Sequence, residues 1–356
     1  MKRSQRLMWP LVPLHQALQR RVHDLDYLFL EITQRCNLHC LHCGSDCIAD
    51  TAVDDLPVEL ALSTLKDIRE RMNPRRLTVV VTGGEPLCHL GLFELGHGIT
   101  ELGFPWGMVT NGWGWTESRV GQVLDAGLRT LTVSLDGRAD THDWLRGRDE
   151  SFSRAAWTIE RFARPGILDA MDVVTCVNQR NLHQLSETAE FLHGLGVTSW
   201  RLFTISPIGR ATDIPELHLN PDQYHEFLDT IGELRVTAPL EVSLSESGYL
   251  GVHHELTVRN QPFFCRAGVS IGGIMADGGI LACPNIDRSL VQGNVYRESF
   301  VDVWGERFQP FRRRQWMRTG PCSDCVDWSH CQGGPMHLRR DGHEGPMLCH
   351  LKDFQL

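Results

Sequence analysis

Residues 27–43 read Tyr-Leu-Phe-Leu-Glu-Ile-Thr-Gln-Arg-Cys-Asn-Leu-His-Cys-Leu-His-Cys, so that a short apolar run passes directly into three cysteines. The run Tyr27–Ile32 has the length and composition of a buried strand. Cys36, Cys40 and Cys43 can face one small volume from a single loop. A Cys40-x-x-Cys43 pair also suits a redox dithiol, half of a zinc site, or buried thiols. A dithiol has no use for Cys36, and a zinc ion needs a fourth ligand, for which Cys47 and His42 stand nearby. Three thiolates on a four-iron cluster leave one iron without a protein ligand, whereas ferredoxin-type carriers use four cysteines. That open iron can chelate the amino and carboxylate groups of a methionine moiety and pass an electron to its sulfonium.

Outward from this stretch, six apolar runs read as strands: Tyr27–Ile32, Thr78–Val81, Gly107–Thr110, Thr130–Ser134, Asp172–Val177 and Trp200–Ile205. Helical patterns stand between them, among them Pro57–Met72, Thr116–Ala126 and Leu182–Leu195. Alternating βα units make a parallel sheet with right-handed crossovers, as a doubly wound sheet or an incomplete barrel; periodicity leaves both open. Past Gly209 the alternation ends, Pro221–Arg235 reads as one more helix, and from about Phe263 the chain is rich in Gly, Cys and short turns. The expected organisation is an N-terminal segment over 1–23, an α/β unit over 24–210, a helical linker over 211–260 and a metal-stapled module over 261–356. The core of such a module is too thin to stand without help.

The strand ends carry the polar residues. The second ends in Thr82-Gly83-Gly84-Glu85-Pro86, where paired glycines let a ligand approach the backbone and Glu85 can bind an ammonium group. The third ends in Thr110-Asn111-Gly112 and the fourth in Ser134-Leu135-Asp136-Gly137. One such turn is more often structure than function. Several at one carboxyl edge, beside a cysteine loop, form a ligand site of the kind parallel α/β folds build there.

The cysteine loop with Gly83-Gly84-Glu85-Pro86 and Ser134-Leu135-Asp136-Gly137 resembles the radical S-adenosylmethionine (radical SAM) superfamily. The resemblance implies a partial (β/α)6 TIM-type barrel and a [4Fe–4S] cluster on Cys36, Cys40 and Cys43 that cleaves S-adenosylmethionine. It further implies that Gly83, Gly84 and Glu85 bind the methionine amino group, and that Ser134 with Asn111 or Asp136 contacts the ribose or carboxylate. The position before the third cysteine is usually aromatic in this family; here it is His42. The acid or base of the reaction is not identified, and Asp277, Asp287 and Arg146 remain unranked polar candidates.

Beyond the barrel, Cys322-x2-Cys325-x5-Cys331 and Cys349 supply four ligands, enough for a second [4Fe–4S] cluster or a structural zinc. This part resembles the SPASM extension of peptide- and protein-modifying radical enzymes, with Cys265, Gly278 and Cys283 at the expected spacing. The family pattern continues with a cysteine where Pro335 stands, so Cys265 and Cys283 are left as a doubtful pair and one auxiliary cluster is expected. Sulfatase-maturing relatives carry an Asp base after the equivalent of Cys283, and Pro284 occupies that place.

Composition narrows the partners. A net charge of −9 argues against nucleic acid. No apolar run approaches the ~20 residues that span a bilayer. Lys2, Arg3 and Arg6 precede the apolar stretch Leu7–Leu14, but Pro10 and Pro13 break it and no small-residue cleavage site follows, so a signal peptide is not expected. Twelve cysteines without such a signal make a reducing cytoplasm the expected location. The expected partners are a peptide or protein substrate and a low-potential donor of flavodoxin or ferredoxin type. The alternatives are radical modification of a small molecule such as a tetrapyrrole, and a metal-stapled binding protein without turnover.

Overall fold

The computed structural model describes residues 9–72, 76–245 and 247–356; Lys2, Arg3, Arg6 and the first residues of the Leu7–Leu14 stretch lie outside them. After helix α1 (Val12–Val22), the chain runs β1 (Tyr27–Glu31), α2 (Val58–Arg71), β2 (Thr78–Thr82), α3 (Leu92–Glu101), β3 (Trp106–Thr110) and α4 (Glu117–Asp125). It continues through β4 (Thr130–Ser134), α5 (Ala139–Arg146), α6 (Ser151–Phe162), β5 (Ala170–Val177), α7 (Leu185–Gly194) and β6 (Ser199–Thr204). The alternation persists for another unit, α8 (Pro221–Thr237) and β7 (Glu241–Leu244), before α9 (Gly251–Val258). Strands β8 (Ile271–Ile274), β9 (Gly279–Leu281) and β10 (Gly293–Asn294) precede the short helices α10 (Phe300–Glu306), α11 (Gln309–Arg312), α12 (Trp328–Cys331) and α13 (His350–Asp353).

The ten strands of the described residues belong to one sheet, ordered β10-β9-β8-β1-β2-β3-β4-β5-β6-β7. From β1 to β7 every pairing is parallel, which puts the carboxyl ends of these strands on one edge. Alternate positions are buried, as period-two strands under a helical layer require: Leu28 and Leu30, Val79 and Val81, Trp106 and Met108, Leu131 and Val133, Trp200 and Leu202. The sheet has free edges at β7 and β10, so the barrel is partial and open on one side.

Two boundaries differ from the sequence expectation. The stretch 211–260 is not a purely helical linker, because β7 pairs with β6 and extends the barrel sheet. This strand has four residues, and its alternation of Glu241 and Ser243 with buried Val242 and Leu244 is too brief to register against the helices beside it. The C-terminal module is likewise sewn into the sheet, since β8 lies parallel to β1 with Leu28 opposite Gly272. Its apolar side chains, including Phe300, Phe308 and Phe311, belong to the same contiguous core as Leu28 and Trp106. Helix α1 is held to this module: buried Gln16 donates from Nε2 to the carbonyls of Phe263 (3.1 Å) and His330 (3.2 Å). No helix among the described residues is long and apolar enough to cross a membrane.

Because β1 joins the barrel to the module, a cavity there is felt by both. Leu30 is fully buried, and Leu30→Ala is expected to cost about 2–5 kcal/mol. Loss of far-UV circular dichroism on heating should move to lower temperature in one transition; an unchanged midpoint would contradict the shared core.

Candidate active site

The loop that leaves β1 brings Cys36, Cys40 and Cys47 into one buried nest, with Cys43 and Trp113 packed against it. The backbone is fixed at several points. Cys36 N–H donates to Ile48 O (3.1 Å) and Leu41 N–H to Leu145 O (2.9 Å). Arg210, in the turn after β6, donates to the carbonyls of Cys40 (2.8 Å) and Cys47 (3.0 Å). That turn closes so tightly that a Cβ on Gly209 would lie 2.3 Å from Cys43 O, and its φ of +58° already favours glycine.

Each of the first two thiols has an N–H donor beside it. Asn111 Nδ2 lies 3.8 Å from Cys36 Sγ and 2.9 Å from Asn37 Oδ1, while its own Oδ1 accepts from Trp113 N (2.8 Å). Arg146 lies 3.8 Å from Cys40 Sγ and donates to Asp136 Oδ2 at 2.6 Å. Asp136 is fully buried and also accepts from Cys176 N (2.8 Å). Burial opposes its charge, yet the Arg146 guanidinium holds its carboxyl below the usual carboxylate range. Burial pushes the Cys36 thiol up to about 12 and raises Cys40 as well. Contact with the Cys47 thiol acts the other way on Cys43 and lowers it.

The glycine-rich turn packs onto the start of this loop. A Cβ on Gly83 would meet Thr33 O at 2.4 Å, and one on Gly84 would meet Arg35 O at 2.3 Å. Gly84 N–H donates to Thr33 O (2.8 Å) and Glu85 N–H to Arg35 O (3.0 Å), so the two strand exits are zipped together. Glu85 is fully buried and accepts from Thr110 Oγ1 (2.9 Å), Asn111 N (2.8 Å) and Leu87 N (3.3 Å). Even so, burial pushes its carboxyl up to about 7. Ser134 ends β4 nearly buried, and its hydroxyl makes no hydrogen bond among the described residues.

In the C-terminal module, Cys322, Cys325 and Cys349 lie close enough to Cys331 for their charges to act on it. Burial is the larger effect and pushes Cys331 up to about 12. Buried Arg339 lies 3.3 Å from Cys322 Sγ and donates to Gly333 O at 2.9 Å. The chain turns through Gln332, Gly333 and Gly334, all with positive φ, and then reaches Pro335. Met336 N–H donates to Cys265 Sγ at 3.5 Å, which stands Pro335 beside Cys265. Cys283 is half-buried just past β9.

Among the described residues no three His, Cys, Asp or Glu side chains close on a single ion. A cubane binds its thiolates through separate irons and spaces them more widely than one tetrahedral ion does. The donor set suits such a cluster. Cysteines raised by burial need a positive partner to be held as thiolates, and N–H donors already stand at Cys36, Cys40 and Cys322. Of the residues that sequence reasoning left unranked, Arg146 joins the site. Asp277 and Asp287 instead cap local turns, at Gly279 N (3.0 Å) and Ser289 N (2.9 Å). Arg210 and Arg339 carried no sequence signal, because each acts from a distant turn.

Comparison with known proteins covers both parts of the chain. The radical SAM superfamily model matches residues 30–192, and an iron–sulfur cluster-binding domain of SPASM type matches residues 265–326. A protein of Oleidesulfovibrio alaskensis described as an AdoMet-dependent heme synthase is 25% identical over 320 residues, covering 85% of this chain and 80% of that one. The mycofactocin maturase MftC of Mycolicibacterium smegmatis is 28% identical over 337 residues, covering 92% and 82%. Among solved structures, Streptococcus suis SuiB bound to its precursor peptide SuiA superposes with a TM-score of 0.73 at 17% identity. The alignment covers 96% of this chain and 80% of that one.

Two buried histidines set an acid limit on this architecture. His142 is held at about 4 and His350 at about 3 by burial, and the Nε2 of each has no partner among the described residues. The unfolded chain takes up these protons below about 6.5, and the folded protein does not until far lower pH. Stability therefore falls as pH drops from about 6.5 toward about 4, by up to about 1.4 kcal/mol per unit for each histidine. Glu85 runs oppositely, since its raised carboxyl loses stability as pH rises through about 7. Thermal midpoints should fall between pH 7 and pH 4.5, and His142→Gln should make the decline shallower; an equal slope in the variant would remove His142 from this account.

Proposed function

This chain belongs to the radical SAM superfamily and carries a SPASM extension, and from that premise we propose that it is a maturase modifying a ribosomally made peptide or a protein side chain. The observation that carries the chemistry is the nest of Cys36, Cys40 and Cys43 at the carboxyl edge of the parallel sheet, with Asn111 and Arg146 against its sulfurs. These three cysteines hold the S-adenosylmethionine-binding cluster. When bound, the cluster and S-adenosylmethionine supply a one-electron cleavage to methionine and a 5′-deoxyadenosyl radical, which takes a hydrogen atom from the substrate.

The chain's own residues prepare that event. Gly83, Gly84 and Glu85 receive the methionine amino group, and the buried carboxyl of Glu85 gains its charge when that ammonium arrives. Asn111 and Ser134 face the ribose and carboxylate, the latter with a free hydroxyl. Asp136 has its carboxylate committed to Arg146, so its part is to hold that guanidinium beside Cys40. Cys322, Cys325, Cys331 and Cys349 hold one auxiliary [4Fe–4S] cluster, and Cys265 with Cys283 lacks the ligand that Pro335 replaces. We assign residues 24–210 with β7 to the barrel and 261–356 to the auxiliary module. A low-potential flavodoxin or ferredoxin in a reducing cytoplasm supplies the electron.

The peptide reading draws support from the open side of the barrel, where an extended chain can enter, and from the maturases among the relatives. The heme synthases among the relatives favour a tetrapyrrole instead. Reconstituted enzyme should form 5′-deoxyadenosine with dithionite, and Cys40→Ala should abolish it. A short peptide encoded beside the gene should change mass in a manner that needs S-adenosylmethionine and Cys40. Turnover on a tetrapyrrole with no change in any such peptide would overturn the substrate assignment. The auxiliary site is tested separately: the Cys36, Cys40 and Cys43 triple alanine variant should retain iron and sulfide for one four-iron cluster. Zinc in its place, or an equal iron loss from Cys265→Ala, would contradict the ligand set.

A further inference from the structure

Several surface arginines of this protein are paired with carboxylates, as in Arg129–Asp169 (2.6 Å), Arg138–Glu187 (3.2 Å) and Arg161–Glu117 (2.7 Å). Arg148 and Arg154 are exposed and meet no carboxylate among the described residues. They gather instead on one half-buried ring: the Arg148 guanidinium lies 3.9 Å from the Trp113 centroid and that of Arg154 lies 5.7 Å from it. Arg119, from α4, donates to Gly114 O in the same turn and is also without a carboxylate there. Asp149 and Glu150 follow Arg148 in sequence, yet neither pairs with it. The result is a local concentration of positive charge on a chain whose net charge is −9.

Trp113 is also the aromatic ring packed against the cysteine nest. Its backbone N–H donates to Asn111 Oδ1 (2.8 Å), and Asn111 Nδ2 lies 3.8 Å from Cys36 Sγ. Asn37, next to Cys36, donates to Trp113 O (3.4 Å). The patch and the cluster loop are thus joined by packing and by a short hydrogen-bonded path.

We propose that Trp113, Arg119, Arg148 and Arg154 form the docking surface for a small acidic electron-transfer protein that reduces the cluster at Cys36, Cys40 and Cys43. This rests on the radical SAM reading above. An acidic carrier is repelled by the chain as a whole and attracted at this patch, so the field selects the face as well as speeding encounter. The step is a single electron transfer: the reduced carrier loses one electron, the cluster gains it, and no bond or proton changes hands. Docking over Trp113 brings the carrier's redox centre against a ring that packs directly on the nest.

The test uses holoenzyme with reduced flavodoxin and, in parallel, with dithionite. Arg154→Glu reverses an exposed charge whose one side-chain contact among the described residues is the Trp113 ring. It should lower flavodoxin-driven 5′-deoxyadenosine formation at low salt by about tenfold, in the range expected for lost steering. Dithionite-driven cleavage should stay within about twofold, since a small reductant needs no docking. Titration calorimetry with oxidised flavodoxin should show the same weakening, and added salt should bring wild type down toward the variant. Equal losses with both reductants, or unchanged flavodoxin kinetics and binding, would overturn the proposal. So would a variant that binds flavodoxin normally and loses affinity only for the peptide substrate. No 5′-deoxyadenosine with dithionite in wild type would instead overturn the underlying radical SAM reading.

Discussion

The buried pair of Asp136 and Arg146 is the contact on which the arrangement of the site depends. Asp136 leaves the end of β4, and Arg146 closes the last turn of α5, so their 2.6 Å bond fixes the angle at which that helix returns over the sheet. The same carboxylate takes the Cys176 amide and so ties β4 to β5. Taking two charges out of water costs several kcal/mol for each, and a buried pair seldom adds net stability. Its value lies in where it leaves the cation. Arg146 stands 3.8 Å from Cys40 Sγ, a position no exposed side chain could hold with the same fixity. A guanidinium pinned in this way favours the thiolate and the negative charge of a thiolate-bound cluster.

A second constraint is the close approach of two strand exits. Gly83 and Gly84 lie so near the backbone of Thr33 and Arg35 that any side chain would collide with a carbonyl. The paired glycines offer clearance for a ligand, and the loop preceding Cys36 needs the same clearance. Both uses are compatible, because the turn that receives the loop also presents the buried Glu85 carboxyl. This is how the position of the first cysteine is tied to the position of the carboxylate without any direct contact between them.

What was legible in the sequence is what depends on spacing along the chain. The three-cysteine loop, the strand-end motifs and the parallel alternation all concern residues a few positions apart. What was not legible depends on direction or on distant partners. Asp136 sits at a strand end, as the motif suggested, but only the fold shows its carboxylate turned toward Arg146 and away from solvent. Arg210 reaches the Cys40 carbonyl across 170 residues. Arg339 meets Cys322 only because the turn at Gly333 folds back upon it. Strand β7 escaped for another reason: its four residues are placed by pairing with β6, and a pattern that short carries little information of its own.

The distribution of buried positive charge unites the two halves of the molecule. Arg259, like Arg146, has its own carboxylate, Glu255. Arg312, Arg314 and Arg339 are also buried, and among the described residues they bond to carbonyls and to Cys322 Sγ with no carboxylate. Burial lowers Arg312 to about 10, which still leaves it charged at neutral pH. Three such cations inside a small module are costly on their own. A four-iron cluster held by four thiolates carries net negative charge, and Cys322, Cys325, Cys331 and Cys349 lie in this same module. Of the three, Arg339 stands at a sulfur, 3.3 Å from Cys322 Sγ, while Arg314 holds the Cys265 carbonyl (2.6 Å). A cluster held as proposed on Cys322, Cys325, Cys331 and Cys349 would meet this positive charge at Cys322, where Arg339 already stands.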